Sequence, residues 1–176
     1  MGGAAGRTDG WGEPAERAVL CFIVRGDEVL LIEKKRGLGA GKVNGPGGRI
    51  ERGERPDEAA VRETREEIGV TPLGLRRGGA LWFRFTDGYS LHCTVFRADG
   101  LEGEPTETDE AKPFWVPVGA IPFERMWADD IHWFHHLLGR VTFEGWFDFD
   151  GERMLDGRVV AEEAGGQSPT GRLRNS

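Results

Sequence analysis

Residues 48–70 read GRIERGERPDEAAVRETREEIGV, and from Pro56 onward this stretch has the marks of a helix with defined ends. Pro56 suits the first turn, where no N–H is needed. Asp57 and Glu58 complement the positive end of the helix dipole, and Gly69 supplies the stop after Ile68. On a wheel of about 100° per residue, Val61, Thr64 and Ile68 share one side. Glu63, Glu66 and Glu67 gather on the opposite side. Like charges at this spacing repel, so helix formation does not ask for the cluster. A hard divalent cation does, because magnesium takes oxygen ligands from a few carboxylates and from substrate phosphates.

The wider spacing is more specific. Gly48, Glu54, Arg62, Glu63, Glu66, Glu67, Gly69 and the apolar Val70 fit G-x5-E-x7-R-E-x-x-E-E-x-G-U, where U is apolar. From average residue usage, a chance match in a chain of this length is on the order of 10⁻⁵. The pattern resembles the signature of the Nudix hydrolases. Thr64, where that family usually has an aliphatic residue, is a mild departure that costs some packing.

The resemblance implies a catalytic set of Arg62, Glu63, Glu66 and Glu67, with Gly48 letting the backbone approach metal and phosphates. Glu63, Glu66, Glu67, Gly48 and the loop residue Glu110 are the expected holders of Mg²⁺, for which Mn²⁺ can substitute. Glu54 is expected beside them and Arg62 to orient a carboxylate. The general base is either a helix glutamate or Glu110. A bound metal polarises phosphoryl oxygens and activates water.

Outward from this box, Arg17 to Val24 and Val29 to Ile32 read as strands joined by Arg25-Gly26-Asp27. A basic, glycine-rich loop runs from Lys34 to Lys42 and continues through Gly45, Gly47 and Gly48. Ala80 to Phe85 and Tyr89 to Arg97 flank Asp87-Gly88, a strong hairpin signal. Phe114 to Val118 reads as a strand, Asp129 to Leu138 as a helix, and Val141 to Phe149 and Met154 to Ala161 as a strand pair. Strands on both sides of a helix, with a second helix late in the chain, predict an α/β (α+β) fold: a mixed sheet sandwiched between helices. Residues 17–161 form the expected domain, between flexible tails at 1–16 and 162–176.

Across roughly Val19 to Val160 the chain also resembles one Nudix branch, the oxidised-purine nucleoside triphosphatases that sanitise the nucleotide pool. The likeness runs through Lys34 to Gly41, Asn44-Gly45, Ile121-Pro122-Phe123, Met126 to Asp130 and Phe143 to Phe147. It implies nucleotide contacts from Lys34, Asn44, Gly47 and Gly48. Asn44 offers donor and acceptor to a purine edge, and Trp127 stacks on the base. Asp129 and Asp130, adjacent and partly dry, should keep one proton between them, and Phe83 and Phe85 line the wall. Asp129 also fits as a plain helix N-cap. Leu38, Val43, Pro46 and Val19 depart from the branch, which leaves open the ranking of 8-oxo-dGTP, 2-hydroxy-dATP and methylated purine nucleotides.

The remaining features bound the function. The 176 residues carry a formal net charge of −7, against a protein that grips a nucleic-acid polymer. No apolar run reaches membrane length and the N-terminus lacks a signal peptide, so a cytoplasmic protein is expected; a monomer is expected as well. Cys21 and Cys93 read as buried, reduced thiols. His132, His135 and His136 have metal-like spacing but should face solvent without a second ligand group. Alternatives are a Nudix enzyme acting on undamaged dNTPs or a dinucleotide, and a non-catalytic Nudix-fold binding module.

Overall fold

The structure, a computed structural model, describes residues 10–162 and the backbone of 170–174. Strand β1 (Glu16–Arg25) turns at Gly26 into β2 (Glu28–Lys34), and the two pair antiparallel. The glycine-rich loop then forms two strands too short to show a period, β3 (Val43–Asn44) and β4 (Gly47–Arg49). Helix α1 is Pro56–Ile68, with the bounds its sequence signals predict. The Glu58 side chain accepts from the Arg55 N–H at its start, and Gly69 ends it at φ 74°, where a Cβ would be strained.

Next come β5 (Thr71–Leu73), β6 (Arg76–Phe85), β7 (Ser90–Ala98), β8 (Gly100–Glu102) and β9 (Ala111–Pro117). Helix α2 (Asp130–Leu138) leads into β10 (Thr142–Asp150), β11 (Arg153–Glu162) and β12 (Thr170–Arg174). The main sheet runs β12-β11-β10-β6-β7-β1-β2-β3, with β4 joined to β1 and β9 to β2; β5 and β8 pair apart from it. β1 with β7 and β6 with β10 are parallel, so the sheet is mixed.

The helices cover opposite faces of this sheet. α1 brings Ala59, Ala60 and Ile68 to a core with Val19, Cys21, Ile23, Ile32 and Phe96. α2 brings Trp133, Phe134 and Leu137 to a second core with Phe22, Leu81, Phe143 and Phe147. This is the expected sandwich. Arg97 Nη1 donates to the carbonyls of Leu137 (3.1 Å) and Leu138 (2.7 Å), holding the C-terminal end of α2 against β7. Cys21 and Cys93 are free and buried.

Three local expectations change. Within the stretch read as a C-terminal tail, Thr170–Arg174 pairs antiparallel with β11; residues 163–169 and 175–176 lie outside the described residues. Of the N-terminal stretch, 1–9 lie outside them as well. Residues 10–16 are docked on the domain: the Arg84 guanidinium covers the Trp11 ring at 3.7 Å, and the Ala15 N–H reaches Ser90 Oγ at 2.9 Å. On α2, His135 is exposed, but His132 and His136 are half-buried, His136 against the Phe143 ring. No helix among the described residues is long and apolar enough to cross a membrane.

Candidate active site

β1 changes partners along its length. Its first half pairs with β4 (Ala18 with Arg49, Leu20 with Gly47) and its second half with β2. Near the change, the Cys21 N–H donates to Pro46 O at 2.8 Å. The sheet splays here and opens a cavity of about 300 Å³, with Glu63 and Glu67 in one wall and Asp129 and Asp130 in another.

The backbone approaches that the short strands make are specific. A Cβ on Gly47 would strike the Val19 carbonyl, and one on Gly48 would stand 2.6 Å from both carboxylate oxygens of Glu63. Glycine therefore lets β4 lie directly on the carboxylate of α1.

Arg62 organises the acids. Its Nε and Nη2 grip Glu54 at 2.7 and 2.9 Å, its Nη1 reaches Glu63 at 2.8 Å and Glu66 at 3.3 Å, and Nη2 also donates to Arg49 O. The bidentate grip holds Glu54 down at about 2. Glu54 thereby braces Arg62 and, through its other bond to the Glu51 N–H, the turn before α1.

Glu67 corrects the helical-wheel reading. It is 6% exposed, so it lies at the edge of the buried face rather than on an open acidic face. Burial first, then the charge of Glu63, pushes its carboxyl up to about 8. Glu63 is also raised, by burial. Thr64 is fully buried, and its hydroxyl donates to Ala60 O at 2.7 Å, so the departure from an aliphatic residue leaves no polar atom wanting.

The expected nucleotide contacts Lys34, Asn44, Gly47, Gly48, Phe83, Phe85, Trp127, Asp129 and Asp130 all line the cavity. Trp127 meets Phe85 and Phe149 edge-on, with centroids at 6.2 and 5.5 Å. Gly39 presses on its indole, where a Cβ would come within 2.8 Å of Nε1. Asn44 Oδ1 accepts the Gly45 N–H at 2.8 Å, which points the amide group's donor away from that turn. Lys34 Nζ donates to Leu38 O, and burial lowers its pKa against the pull of Glu67 and Glu63.

Asp129 stands at the N-cap of α2 but makes no side-chain cap bond. Its Oδ2 instead accepts the Trp133 indole N–H at 2.9 Å. Both aspartates are buried. Burial raises Asp129, and burial together with the charge of Asp129 raises Asp130 well above the usual carboxylate range. Asp129 Oδ1 and Asp130 Oδ2 have no hydrogen-bond partner. Burial and mutual repulsion thus disfavour ionisation of both acids at once.

Glu110 falls outside the lining. Its carboxylate, partly exposed, meets Arg36 at 3.2 Å, although its charge is felt by Glu63, Glu67 and Lys34. Of the departures from the branch pattern, Val19 and Leu38 line the cavity; Val43 and Pro46 do not. Sequence reasoning missed Glu16, Arg49, Tyr89, Leu91 and Cys93, which also line it. Tyr89, on the Phe83 and Phe85 face just past the Asp87-Gly88 turn, was the legible one.

Among the described residues, no three acidic, histidine or cysteine side chains converge as a closed metal cage, on α1 or on α2. Two features fit an added divalent cation at α1. Glu67 Oε2 is buried with no partner, and the space over the Glu63 carboxylate exists because Gly48 lacks a Cβ. A buried anion without a partner is costly unless a positive charge completes it.

The NUDIX domain family matches residues 14–137. The oxidized purine nucleoside triphosphate hydrolase of Danio rerio is 45% identical over 139 residues, covering 77% of this chain and 88% of that protein. The protein of the same name from Mus musculus is 40% identical over 131 residues, 74% of this chain and 84% of its own length. In structure the chain is similar to the Mutator MutT protein from Bacillus halodurans, with TM-score 0.74 and 29% identity over 82% of this chain and 97% of that one.

Proposed function

The chain belongs to the NUDIX family, and from that membership we propose that it hydrolyses nucleoside triphosphates with oxidised purine bases, such as 8-oxo-dGTP or 2-hydroxy-dATP, to the monophosphate and pyrophosphate. One observation carries the reading. A single cavity holds the buried Asp129–Asp130 pair and, in another wall, the Glu63–Glu67 pair beneath Gly48. The first pair suits a base and the second suits phosphates with a metal.

At the base end, a proton shared by Asp129 and Asp130 lets the pair act as donor and acceptor side by side. A purine with an added oxo or hydroxyl group can meet that pattern, whereas two ionised carboxylates offer acceptors alone. Trp127 closes over the base, and the Asn44 amide supplies a further donor. At the phosphate end, Glu63 and Glu67, with Glu66 and the Gly48 backbone, are the groups that would hold a divalent metal, and magnesium is the ion we propose. When bound it neutralises phosphate charge and lowers the pKa of a water. Arg62 keeps Glu63 and Glu66 aimed. Lys34 attracts the phosphates, and a carboxylate of this cluster takes the proton of the attacking water. The small, free substrate fits a cytoplasmic enzyme that acts as a monomer and needs no polymer.

The test is pyrophosphate release from 8-oxo-dGTP, 2-hydroxy-dATP, dGTP and dATP with Mg²⁺, with Glu67→Gln as control. A marked preference for the oxidised pair is expected. Equal rates on all four would retain the hydrolase and remove the damage-reading role of Asp129 and Asp130.

A further inference from the structure

The cavity contains one carboxylate that neither the base nor the phosphates require. Glu16 lines it from the first residue of β1. Its Oε2 accepts a hydrogen bond from the Tyr89 hydroxyl at 2.6 Å and forms an ion pair with Arg49 Nε at 2.9 Å. Among the described residues no hydrogen bond engages Oε1. The side chain is thus tied down by one oxygen, with the other left to a ligand.

Its depth follows from strand register. Cys93 is level with Ala18 on one side and Leu81 on the other, and Cys93 feels the charges of Asp129 and Asp130. That level is the base end. Glu16 is level with Leu91, which pairs with Phe83. It is two residues nearer the mouth, about 7 Å along the strand, while Phe85 and Tyr89 form the rim. Across the strand from Ala18, Arg49 follows Gly48, which lies on Glu63. β1 itself lies between β7 on the base side and β4 on the phosphate side, so Glu16, at the mouth end of β1, stands where a sugar joining the two would pass.

We propose that Glu16, anchored by Tyr89 and Arg49 through one carboxylate oxygen, reads a sugar hydroxyl of the nucleotide with the other. The proposal deepens the function proposed above and rests on it for the direction in which the nucleotide lies. A carboxylate oxygen is a strong acceptor and a hydroxyl its natural donor. An acceptor placed for a hydroxyl rejects the analogue that lacks it.

The experiment compares kcat/KM for 8-oxo-GTP, 8-oxo-dGTP and 8-oxo-2′,3′-dideoxy-GTP in the intact chain and in Glu16→Ala, Glu16→Gln and Tyr89→Phe. In the intact chain, loss of the hydroxyl that Glu16 meets lowers kcat/KM about ten-fold or more. A drop between the first two substrates identifies the 2′-hydroxyl, and a drop between the last two the 3′-hydroxyl. Glu16→Ala abolishes that drop, Glu16→Gln keeps part of it through its remaining acceptor, and Tyr89→Phe weakens it without disturbing the fold. A substrate series that is flat in the intact chain, or a drop that survives unchanged in Glu16→Ala, overturns the proposal. A loss of equal proportion on all three substrates also overturns it, because that is the signature of a structural tie. dGTP run alongside reports the base reading separately: a flat ratio of 8-oxo-dGTP to dGTP sinks that reading and leaves the sugar comparison to stand or fall alone.

Discussion

The indole N–H of Trp133 points at Oδ2 of Asp129 across 2.9 Å of dry interior, one helical turn further along α2. A residue whose place in the chain marks it as a cap is thereby turned inward and fixed as an acid in the cavity wall. Trp133→Phe removes the donor and leaves a buried carboxylate short of a partner. Stability should fall by about 1–3 kcal/mol in urea denaturation, and discrimination between oxidised and ordinary purines should narrow. Unchanged discrimination would mean that Asp129 needs no such positioning.

Asp130 sets a pH dependence. Its carboxyl is raised in the folded protein by burial and by Asp129. The stability this gives is complete below the unfolded carboxylate range, near pH 4, and is lost as pH rises through the folded value. Asp130→Asn keeps the shape without the charge, so its urea midpoint should change less between pH 5 and 9 than that of the unaltered chain. Parallel curves would place the protonation elsewhere.

His92 works in the opposite sense. Burial first, then Arg17 and Arg77, lowers its pKa to about 4. The unfolded chain protonates it near pH 6.5 and the folded one does not, so stability present above 6.5 is lost as pH falls toward 4. His92→Gln should flatten this part of the profile, measured as the difference in melting temperature between pH 7 and pH 4.5. The Trp82 ring packed against His92 at 4.2 Å makes tryptophan fluorescence a direct reporter.

Gly48→Ala tests the close approach of β4 to α1. The added methyl collides with the Glu63 carboxylate, and kcat/KM should drop about 10²-fold, because small displacements at a reacting centre cost that much. Circular dichroism should show the fold retained. An active alanine variant would show that Glu63 can move aside without loss.

The two contested carboxylates separate by substitution. Glu67→Gln should lower kcat by about 10²-fold or more and raise the melting temperature of metal-free protein at pH 8, since it removes a buried charge beside Glu63 with one oxygen left unpartnered. Glu110→Gln should lower kcat about ten-fold, a modest loss for a charge that reaches the cluster from outside it. Near-normal turnover in Glu110→Gln would remove that residue from the mechanism.

What was legible in the sequence was local. Pro56 and Gly69 bound α1 because a missing N–H and a positive φ act on one residue at a time. The hairpin at Asp87-Gly88 is legible for the same reason. β3, β4, β5 and β8 were not, because two or three residues carry no period and exist as strands through their partners. The burial of Glu67 escaped the wheel because the cover comes from elsewhere: Gly47 donates to its carboxylate, and Thr108 Oγ1 donates to its carbonyl at 2.6 Å. The residues proposed for the base end were named through a resemblance to a family branch, and they line one cavity. Glu16 and Arg49 carry no motif and became visible once β1, β4 and β7 were side by side.

The parallel pairings of β1 with β7 and β6 with β10 have a consequence in time. The cavity draws walls from β1, from the β6–β7 hairpin and from the start of α2, so its parts are separated by most of the chain. Contacts of such long sequence separation are slow to form. On a ribosome, the carboxylates of α1 emerge well before the acids of α2 exist to face them. A nascent chain halted before Asp129 would hold the glutamates proposed to bind the metal without the acids proposed to read the base.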